Sequence, residues 1–161
     1  MSLVVRAVQI NQGKTVPIEG APGSKAAGFE RWRTDVWASK AVTSIAQAVR
    51  RQRPSRLILP SLAAQDILVE GEELDQLERE VDSLLAHVLE VVREIQRSGP
   101  AMVAALFGGV PVGSFEGSIG SLKPVAPSEP EVVEHFRARL LNIKEAVQLA
   151  KTVPRGGVEI G

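Results

Sequence analysis

His87 and His135 are the only imidazole side chains in the sequence, and neither has the surroundings of a catalytic or metal-binding residue. Each falls within a predicted helix, and neither has a histidine or carboxylate four residues on, the spacing by which a helix presents two ligands to zinc. The absence of cysteine excludes thiol nucleophiles and thiolate metal sites, and no serine lies in a Gly-x-Ser-x-Gly motif. We therefore predict a surface or boundary role for both histidines, and neither a cofactor nor a metal. A Ser/His/Asp triad assembled by the fold stays open.

Two glycine-containing segments resemble phosphate-binding loops without completing either motif. Gly13-Lys14-Thr15 matches the end of a P-loop, but Val8 stands where the motif requires its first glycine, and Pro17 follows where a helix should begin. The glycines of segment 108–120 do not form Gly-x-Gly-x-x-Gly, and they are typical of hairpins. Neither segment predicts a nucleotide site.

The strongest local charges form one acidic and one basic segment. The acidic residues crowd the predicted start of a helix: Asp66, Glu70, Glu72, Glu73 and Asp75. They lack the alternating oxygen ligands and the glycine of an EF-hand loop, whereas a helix N-terminus favours negative charge. The basic run 50–56 could contact phosphate, but the formal net charge is zero and no aromatic residue interrupts the run. Nucleic acid is therefore not an expected partner.

Segment 30–37 has the most distinctive composition, because both tryptophans lie in it among arginines and carboxylates. Trp and Arg are over-represented among the residues that dominate binding energy at protein interfaces. Trp32 falls on the apolar side of a predicted helix and Trp37 lies off it, so we expect Trp37 at an interface. The full set of predicted interface residues is Arg33, Asp35, Trp37, Glu70, Glu72 and Glu73.

The element that must position the acidic segment is a helix predicted over residues 72–97. Its apolar residues alternate spacings of three and four: Leu74, Leu77, Val81, Leu84, Val88, Val91 and Ile95. That period places them on one stripe, which Leu85, Leu89 and Val92 widen. At 1.5 Å per residue the helix would be about 39 Å long, so it crosses the domain or protrudes. We favour a core helix covered by its own chain, and the alternative is a two-stranded coiled coil between chains.

A second helix of matching period is predicted over residues 131–151, with Ser128 as its N-cap and Glu131 as the capping partner. The other predicted elements are a helix over 26–52, strands at 3–10, 16–18 and 158–160, a strand or helix lead-in at 67–69, hairpins within 101–120 and an ordered linker over 123–130. The predicted fold class is α+β. Two long amphipathic helices and an N-terminal helix pack against a small, mostly antiparallel sheet, in a single domain over residues 1–161.

The composition bounds the class of protein further. With 161 residues, 44% of them apolar, the chain is long enough to bury one core. Its start lacks the pattern of a signal peptide, and no run approaches the roughly 18 apolar residues of a membrane span. We expect a soluble, cytoplasmic protein without a membrane partner.

The absence of a catalytic signature favours a non-catalytic protein that binds another protein or itself. In architecture, size and neutral, cysteine-free composition the chain resembles the immunity proteins, small bacterial proteins that neutralise polymorphic toxins. The resemblance implies a protein partner and assigns no role to any residue. Two alternatives stay open. One is a self-assembling structural component, a homo-dimer or higher oligomer, in which residues 72–97 pair between chains. The other is a small ligand-binding or enzymatic domain, where the glycine-rich hairpins meet the carboxylates near Glu70.

Overall fold

The computed structural model of the chain describes residues 5–18, 48–49, 67–97, 115–116, 123–124 and 128–160. Its elements, in chain order, are β1 (Val5–Asn11), β2 (Lys14–Pro17), β3 (Ile67–Glu70), α1 (Glu72–Ala86), α2 (Val88–Arg97), β4 (Phe115–Glu116), β5 (Lys123–Pro124), α3 (Glu129–Lys151) and β6 (Gly156–Ile160). Four strands form one sheet in the order β2-β1-β6-β3, and all neighbours in it are antiparallel. The helices α1, α2 and α3 share one apolar core with this sheet. The predicted α+β class is confirmed.

The hairpin between β1 and β2 follows from its turn residues. Gln12 and Gly13 have φ values of 49° and 78°, and a two-residue type I′ turn requires positive φ at both central positions. Lys14 therefore pairs with Asn11, and β2 runs back along β1. The strand β2 lies at the edge of the sheet. Pro17 has no backbone N–H to donate, and an edge strand tolerates this because it has a neighbouring strand on one side only. The predicted edge strand is confirmed, although it begins two residues before residue 16.

The sheet meets the helices through a row of small and β-branched side chains. Ala7 on β1 lies opposite Val158 on β6, which in turn lies opposite Val69 on β3. All three are buried in the shared core. The strand β6 thus lies in the middle of the sheet, with the first strand on one side and β3 on the other. The segment 67–69, left open between strand and helix lead-in, is a strand.

Helix α3 packs across the sheet and against the other two helices. Its buried residues recur at helical spacing: Val132, Phe136, Leu140, Ile143, Ala146, Val147 and Ala150. The predicted N-cap is confirmed. The backbone N–H of Glu131 donates to Ser128 Oγ at 3.4 Å, and the backbone N–H of Ser128 donates to Glu131 Oε2 at 2.9 Å. These two bonds satisfy donors that a helix N-terminus leaves without a partner.

Replacing Ser128 with alanine should lower the free energy of unfolding by about 1 kcal/mol, because the exposed amide of Glu131 loses its side-chain acceptor. Urea denaturation followed by circular dichroism measures this. Ser128→Asp is the matched control, since aspartate keeps an accepting oxygen at the cap, and it should stay within about 0.5 kcal/mol of the native protein. Equal losses in the two variants would show that the cap does not stabilise α3.

The single helix predicted over residues 72–97 is broken at His87. The backbone N–H of His87 donates to Leu84 O at 3.1 Å, which spans three residues instead of four. The imidazole Nδ1 lies 2.9 Å from Ser83 O. Because a carbonyl oxygen only accepts, Nδ1 must carry the hydrogen. In a regular helix the backbone N–H of His87 would donate to Ser83 O, and here the imidazole Nδ1–H takes its place. The apolar stripe nevertheless continues across the break, since Leu84, Val88 and Val91 are all buried.

Several predicted elements lie partly or wholly outside the described residues. Of the predicted helix over 26–52, only residues 48–49 are described, and they are helical. The predicted glycine-rich hairpins fall outside except for β4, which pairs with β5 in a separate two-stranded antiparallel sheet. The predicted linker over 123–130 was therefore wrong at its first two residues, which form a strand, and at its end, where α3 already begins at Glu129.

Candidate interaction surface

The structure places three of the six predicted interface residues at one corner of the sheet. Glu70 ends β3, and Glu72 and Glu73 open α1, with Gly71 between them. All three carboxylates are exposed. Gly71 makes the sharp corner possible because its φ is 61°, a value that suits glycine. Arg33, Asp35 and Trp37 lie outside the described residues.

The carboxylates at this corner act on the helix start and do not converge on a ligand. Glu72, Glu73 and Asp75 occupy the first turn of α1, where no side chain caps the helix. Their charge therefore complements the unsatisfied N–H groups of that turn. Among the residues that the structure describes, no group of three or more His, Asp or Glu side chains could hold a metal ion.

A different surface brings complementary side chains together across two helices. We call it the outer seam: the paired solvent-facing edges of α1–α2 and α3. Its residues are Asp75, Glu78, Asp82, Leu85, Leu89 and Arg93 on the first edge, and Glu129, Glu134, Arg137, Leu141, Lys144, Gln148 and Lys151 on the second. Apart from the spacing of five between Glu129 and Glu134, each edge repeats at spacings of three and four, which defines one side of a helix. All of these residues are exposed or half-buried.

Ion pairs bridge the outer seam at both of its ends. Lys151 contacts Asp75 at 2.5 Å and also pairs with Glu78. About two turns along each helix from Asp75 and Lys151, Lys144 Nζ lies 2.5 Å from Asp82 Oδ1. At the other end, Arg93 Nε lies 3.4 Å from Glu129 Oε2. Asp75, Glu78 and Asp82 thus lie on the solvent-facing edge of α1 that adjoins α3, and they remain exposed or half-buried.

The Lys151 ammonium changes the titration of its partner. The hydrogen bond from Lys151, and then its charge, hold the pKa of Asp75 below its ordinary value. The hydrogen bonds that Lys151 donates, to Asp75 and then to Glu78, raise the pKa of Lys151. Both shifts favour the charged forms, so this end of the seam stays ionised across the neutral pH range.

Replacing Lys151 with glutamine should lower stability slightly and change how stability depends on pH. The lowered pKa of Asp75 stabilises the fold above about pH 4, and this contribution is lost as the pH falls through the folded-state pKa. The raised pKa of Lys151 stabilises it below about pH 10, and this contribution is lost as the pH rises. The difference in urea midpoint between native protein and Lys151→Gln should thus be constant from about pH 5 to 9 and shrink below about pH 4.

Lys14→Gln is the control for this titration. Lys14 is exposed on β2, and no carboxylate among the described residues forms an ion pair with it. Its replacement should give a difference in urea midpoint that does not vary between about pH 2 and 9. A Lys151→Gln curve that runs parallel to the native curve down to about pH 2 would contradict the pairing.

Between its ion-paired ends the outer seam is apolar. The spacing of the pairs Asp75–Lys151 and Asp82–Lys144 places Leu85 and Leu141 at the next level along the seam, with Leu89 one turn beyond. We call these three residues the leucine gap. Leu85 is packed partly against the core. Leu89 and Leu141 are 41% and 48% exposed, and with Val16 they are the exposed large hydrophobic residues of the described chain.

The leucine gap adjoins an arginine that has no carboxylate partner. Arg137 is exposed one turn before Leu141, and no ion pair or hydrogen bond engages its guanidinium in the described structure. The ion pairs on either side of the gap therefore stop where apolar side chains begin. This arrangement is an apolar centre with a charged rim, which is how protein interfaces are commonly organised.

Neither histidine belongs to the outer seam. His87 forms the break between α1 and α2, and His135 Nε2 accepts a hydrogen bond from Arg139 Nε at 3.1 Å. The one buried charged residue in the described ranges is Glu80, whose Oε1 accepts from Gln76 Nε2 at 2.9 Å. These hydrogen bonds join the three residues to a backbone carbonyl, an arginine and a glutamine, which is not the pattern of a Ser/His/Asp triad.

No protein-family model, curated protein or solved structure matches this chain. Within the described ranges, no helix is long and apolar enough to cross a membrane. The seam itself is therefore the basis for a functional conclusion.

Leu89 and Leu141 were not among the interface residues predicted from the sequence. The signal was present in part, because Leu89 lies off the seven-residue stripe and Leu141 adjoins Leu140, which holds the buried position on α3. What was missing is the pairing of the two helices. Only the contacts between Lys144 and Asp82 and between Lys151 and Asp75 show that both leucines lie along the same seam.

Proposed function

We propose that this chain is a non-catalytic protein-binding protein that acts through the outer seam. The observation that carries the proposal is the leucine gap. Single exposed leucines are common on protein surfaces, but here two lie along one seam, next to half-buried Leu85 and between ion pairs. An apolar patch with a charged rim marks a site for another protein.

An immunity-type inhibitor of a bacterial toxin is one form that this function takes. Such a protein acts by occupying its partner, so it needs a rigid complementary face and no catalytic groups. The outer seam meets that need, since its residues lie on helices that share one core with the sheet and are held in part by ion pairs. The predicted interface residues Glu70, Glu72 and Glu73 would extend such a face along the acidic start of α1.

The proposal is tested by site-specific photo-crosslinking in cells. A photoreactive amino acid at position 141 should give a discrete protein adduct, and the same residue at position 16 should not. Val16 is the matched control because it is 47% exposed and lies on β2. In the same assay, the double variant Leu89→Asp, Leu141→Asp should weaken adduct formation from a probe at position 137, whereas Val16→Asp should leave it unchanged. Identical adducts at positions 141 and 16, or none at position 141, would contradict a binding role for the seam.

A further inference from the structure

We infer that the partner bound by the outer seam is a second copy of this chain, packed antiparallel about a two-fold axis through the leucine gap. The inference rests on the proposed function, because it assigns the occupant of the same surface. It follows from the way charge is distributed along both edges of the seam.

The edge formed by α1 and α2 has opposite charges at its two ends. Before the leucines it carries Asp75, Glu78 and Asp82, and after them it carries Arg93. Arg97 follows one turn beyond, where it pairs with Glu94 at 3.1 Å while its side chain stays 75% exposed. A second copy that lies antiparallel would place its arginines against these carboxylates, twice by symmetry. A parallel copy would place carboxylates against carboxylates, which costs binding energy.

The distances along this edge fit a two-fold axis at the level of His87. Asp82 and Glu78 lie five and nine residues before it, and Arg93 and Arg97 lie six and ten residues after it. At 1.5 Å per residue, the acidic positions are about 8 and 14 Å from the axis and the basic ones about 9 and 15 Å. Rotation about that axis therefore places the acidic positions of one copy opposite the basic positions of the other.

The edge formed by α3 is acidic in its first half and basic in its second half, and the same two-fold rotation sets opposite charges against each other. Its first half carries Glu129 and Glu134, and its second half carries Lys144 and Lys151. The ion pairs that join the two edges put the level of His87 between residues 137 and 139 of α3. Glu134 lies three to five residues before that level, and Lys144 lies five to seven residues after it. One axis thus sets opposite charges against each other toward the ends of both edges, with the leucine gap and Arg137 of each copy at the centre.

The size of the seam suits a weak, reversible dimer. Residues 72–97 span about 39 Å at 1.5 Å per residue, and two helices with axes about 9 Å apart present a face about 18 Å wide. The buried area would be about 700 Å² per copy and about 1,400 Å² in total, which lies within the range of specific interfaces. Because much of this area is charged, we expect dissociation in the micromolar range and weakening at high salt.

Sedimentation velocity of the full chain over about 1 to 500 µM, a range that brackets micromolar dissociation constants, tests the inference. The native protein should shift from monomer to dimer with concentration. Leu89→Lys, Leu141→Lys should raise the dissociation constant by at least about tenfold, because the lysine at position 141 of one copy then lies opposite Arg137 of the other. Val16→Lys should leave it unchanged, since β2 is outside the seam. Unfolding midpoints by urea confirm that each variant is folded.

Two variants with reversed charges at opposite ends of the α1–α2 edge test whether the two copies pack antiparallel. The Arg93→Glu, Arg97→Glu chain is acidic at both ends of the α1–α2 edge, and the Glu78→Lys, Asp82→Lys chain is basic at both. Each alone should dissociate at least about tenfold more readily than the native protein, and an equimolar mixture should recover the dimer, because only the mixed pair matches at both ends. A mixture no tighter than either variant alone would overturn the antiparallel arrangement.

The absence of cysteine allows a direct readout of the same geometry. An Asp82→Cys chain mixed with an Arg93→Cys chain should form a disulfide-linked heterodimer faster than either forms a homodimer. A native chain that stays monomeric up to about 500 µM would overturn the second copy as the partner. If position 141 then still yields an adduct in cells, the proposed function stands with a different protein as its partner, and if it yields none, both fall.

Discussion

Gly156→Ala should lower the free energy of unfolding by about 3 kcal/mol, at the upper end of the usual cost of overpacking. A Cβ atom built at this position would lie 1.7 Å from the carbonyl oxygen and 2.6 Å from the carbonyl carbon of Ala150. Those atoms belong to the backbone of α3, so no side-chain rotation relieves the overlap. The strand β6 or the last turn of α3 must shift, and both form the core. Urea denaturation and thermal melting measure the loss.

Gly13→Ala separates this overlap from the general cost of replacing glycine. Nothing lies within 4 Å of a Cβ built at Gly13, but its φ is 78°. The expected loss is about 1 to 2 kcal/mol, which is the cost of a left-handed conformation for a residue with a Cβ. If Gly156→Ala cost no more than Gly13→Ala, the close approach of β6 to α3 would be contradicted.

Leu140→Ala should cost about 2 to 5 kcal/mol, and Leu141→Ala should stay within about 0.5 kcal/mol of the native protein. The two leucines are neighbours in one helix with the same intrinsic helix propensity, so their difference reports burial alone. Leu140 is 0% exposed in the core, whereas Leu141 is 48% exposed on the outer seam. Truncating Leu140 leaves a cavity between α3 and its neighbours, and truncating Leu141 removes atoms that already contact water.

Chemical denaturation of both variants in parallel gives this comparison. Equal losses would mean that Leu141 is covered by protein, which would remove the leucine gap from the surface. A near-neutral Leu141→Ala has a second use, because it gives a folded variant with which to probe the seam.

Periodicity was sufficient to predict most of the helical core. The residues buried on α1 and α2 include every member of the stripe that was read from the sequence. Strand β1 was also accessible, because it is rich in β-branched residues. The type of turn after it was not, because Gln12 has positive φ at a position where this turn favours Asn, Asp or Gly. The capping box at Ser128 was predictable, since two side chains three residues apart satisfy two backbone donors.

The break at His87 could not be predicted, because no glycine or proline marks it and the apolar spacing continues through it. The break depends on the hydrogen bond between the His87 imidazole and Ser83 O. The spacing of residues in the sequence does not show whether a side chain will make such a bond. The position of β6 between β1 and β3 was not predicted either. A short run of β-branched residues indicates a strand, but the neighbours of β6 depend on pairings between residues about 150 positions apart for β1 and about 90 for β3, which local preferences do not encode.

The outer seam shows the same limit. Each of its charged residues was visible in the sequence, but the sequence did not show which residues of α3 lie beside which residues of α1. Once α1 and α3 pack antiparallel, Lys144 and Lys151 reach the carboxylates of α1, and the leucines between the pairs become a bounded surface. The site is therefore a property of two helices together.

The central position of β6 also governs the order in which the newly made chain can fold. The strand β1 finds its partner only when residues 156–160 have left the ribosome. At about 5 to 20 residues per second, some 150 residues take roughly 8 to 30 s to synthesise. During that interval the β-branched segment of β1 has only β2 beside it. Closure of the sheet thus waits for the synthesis of β6, and until then the edge of β1 that faces away from β2 has no strand beside it.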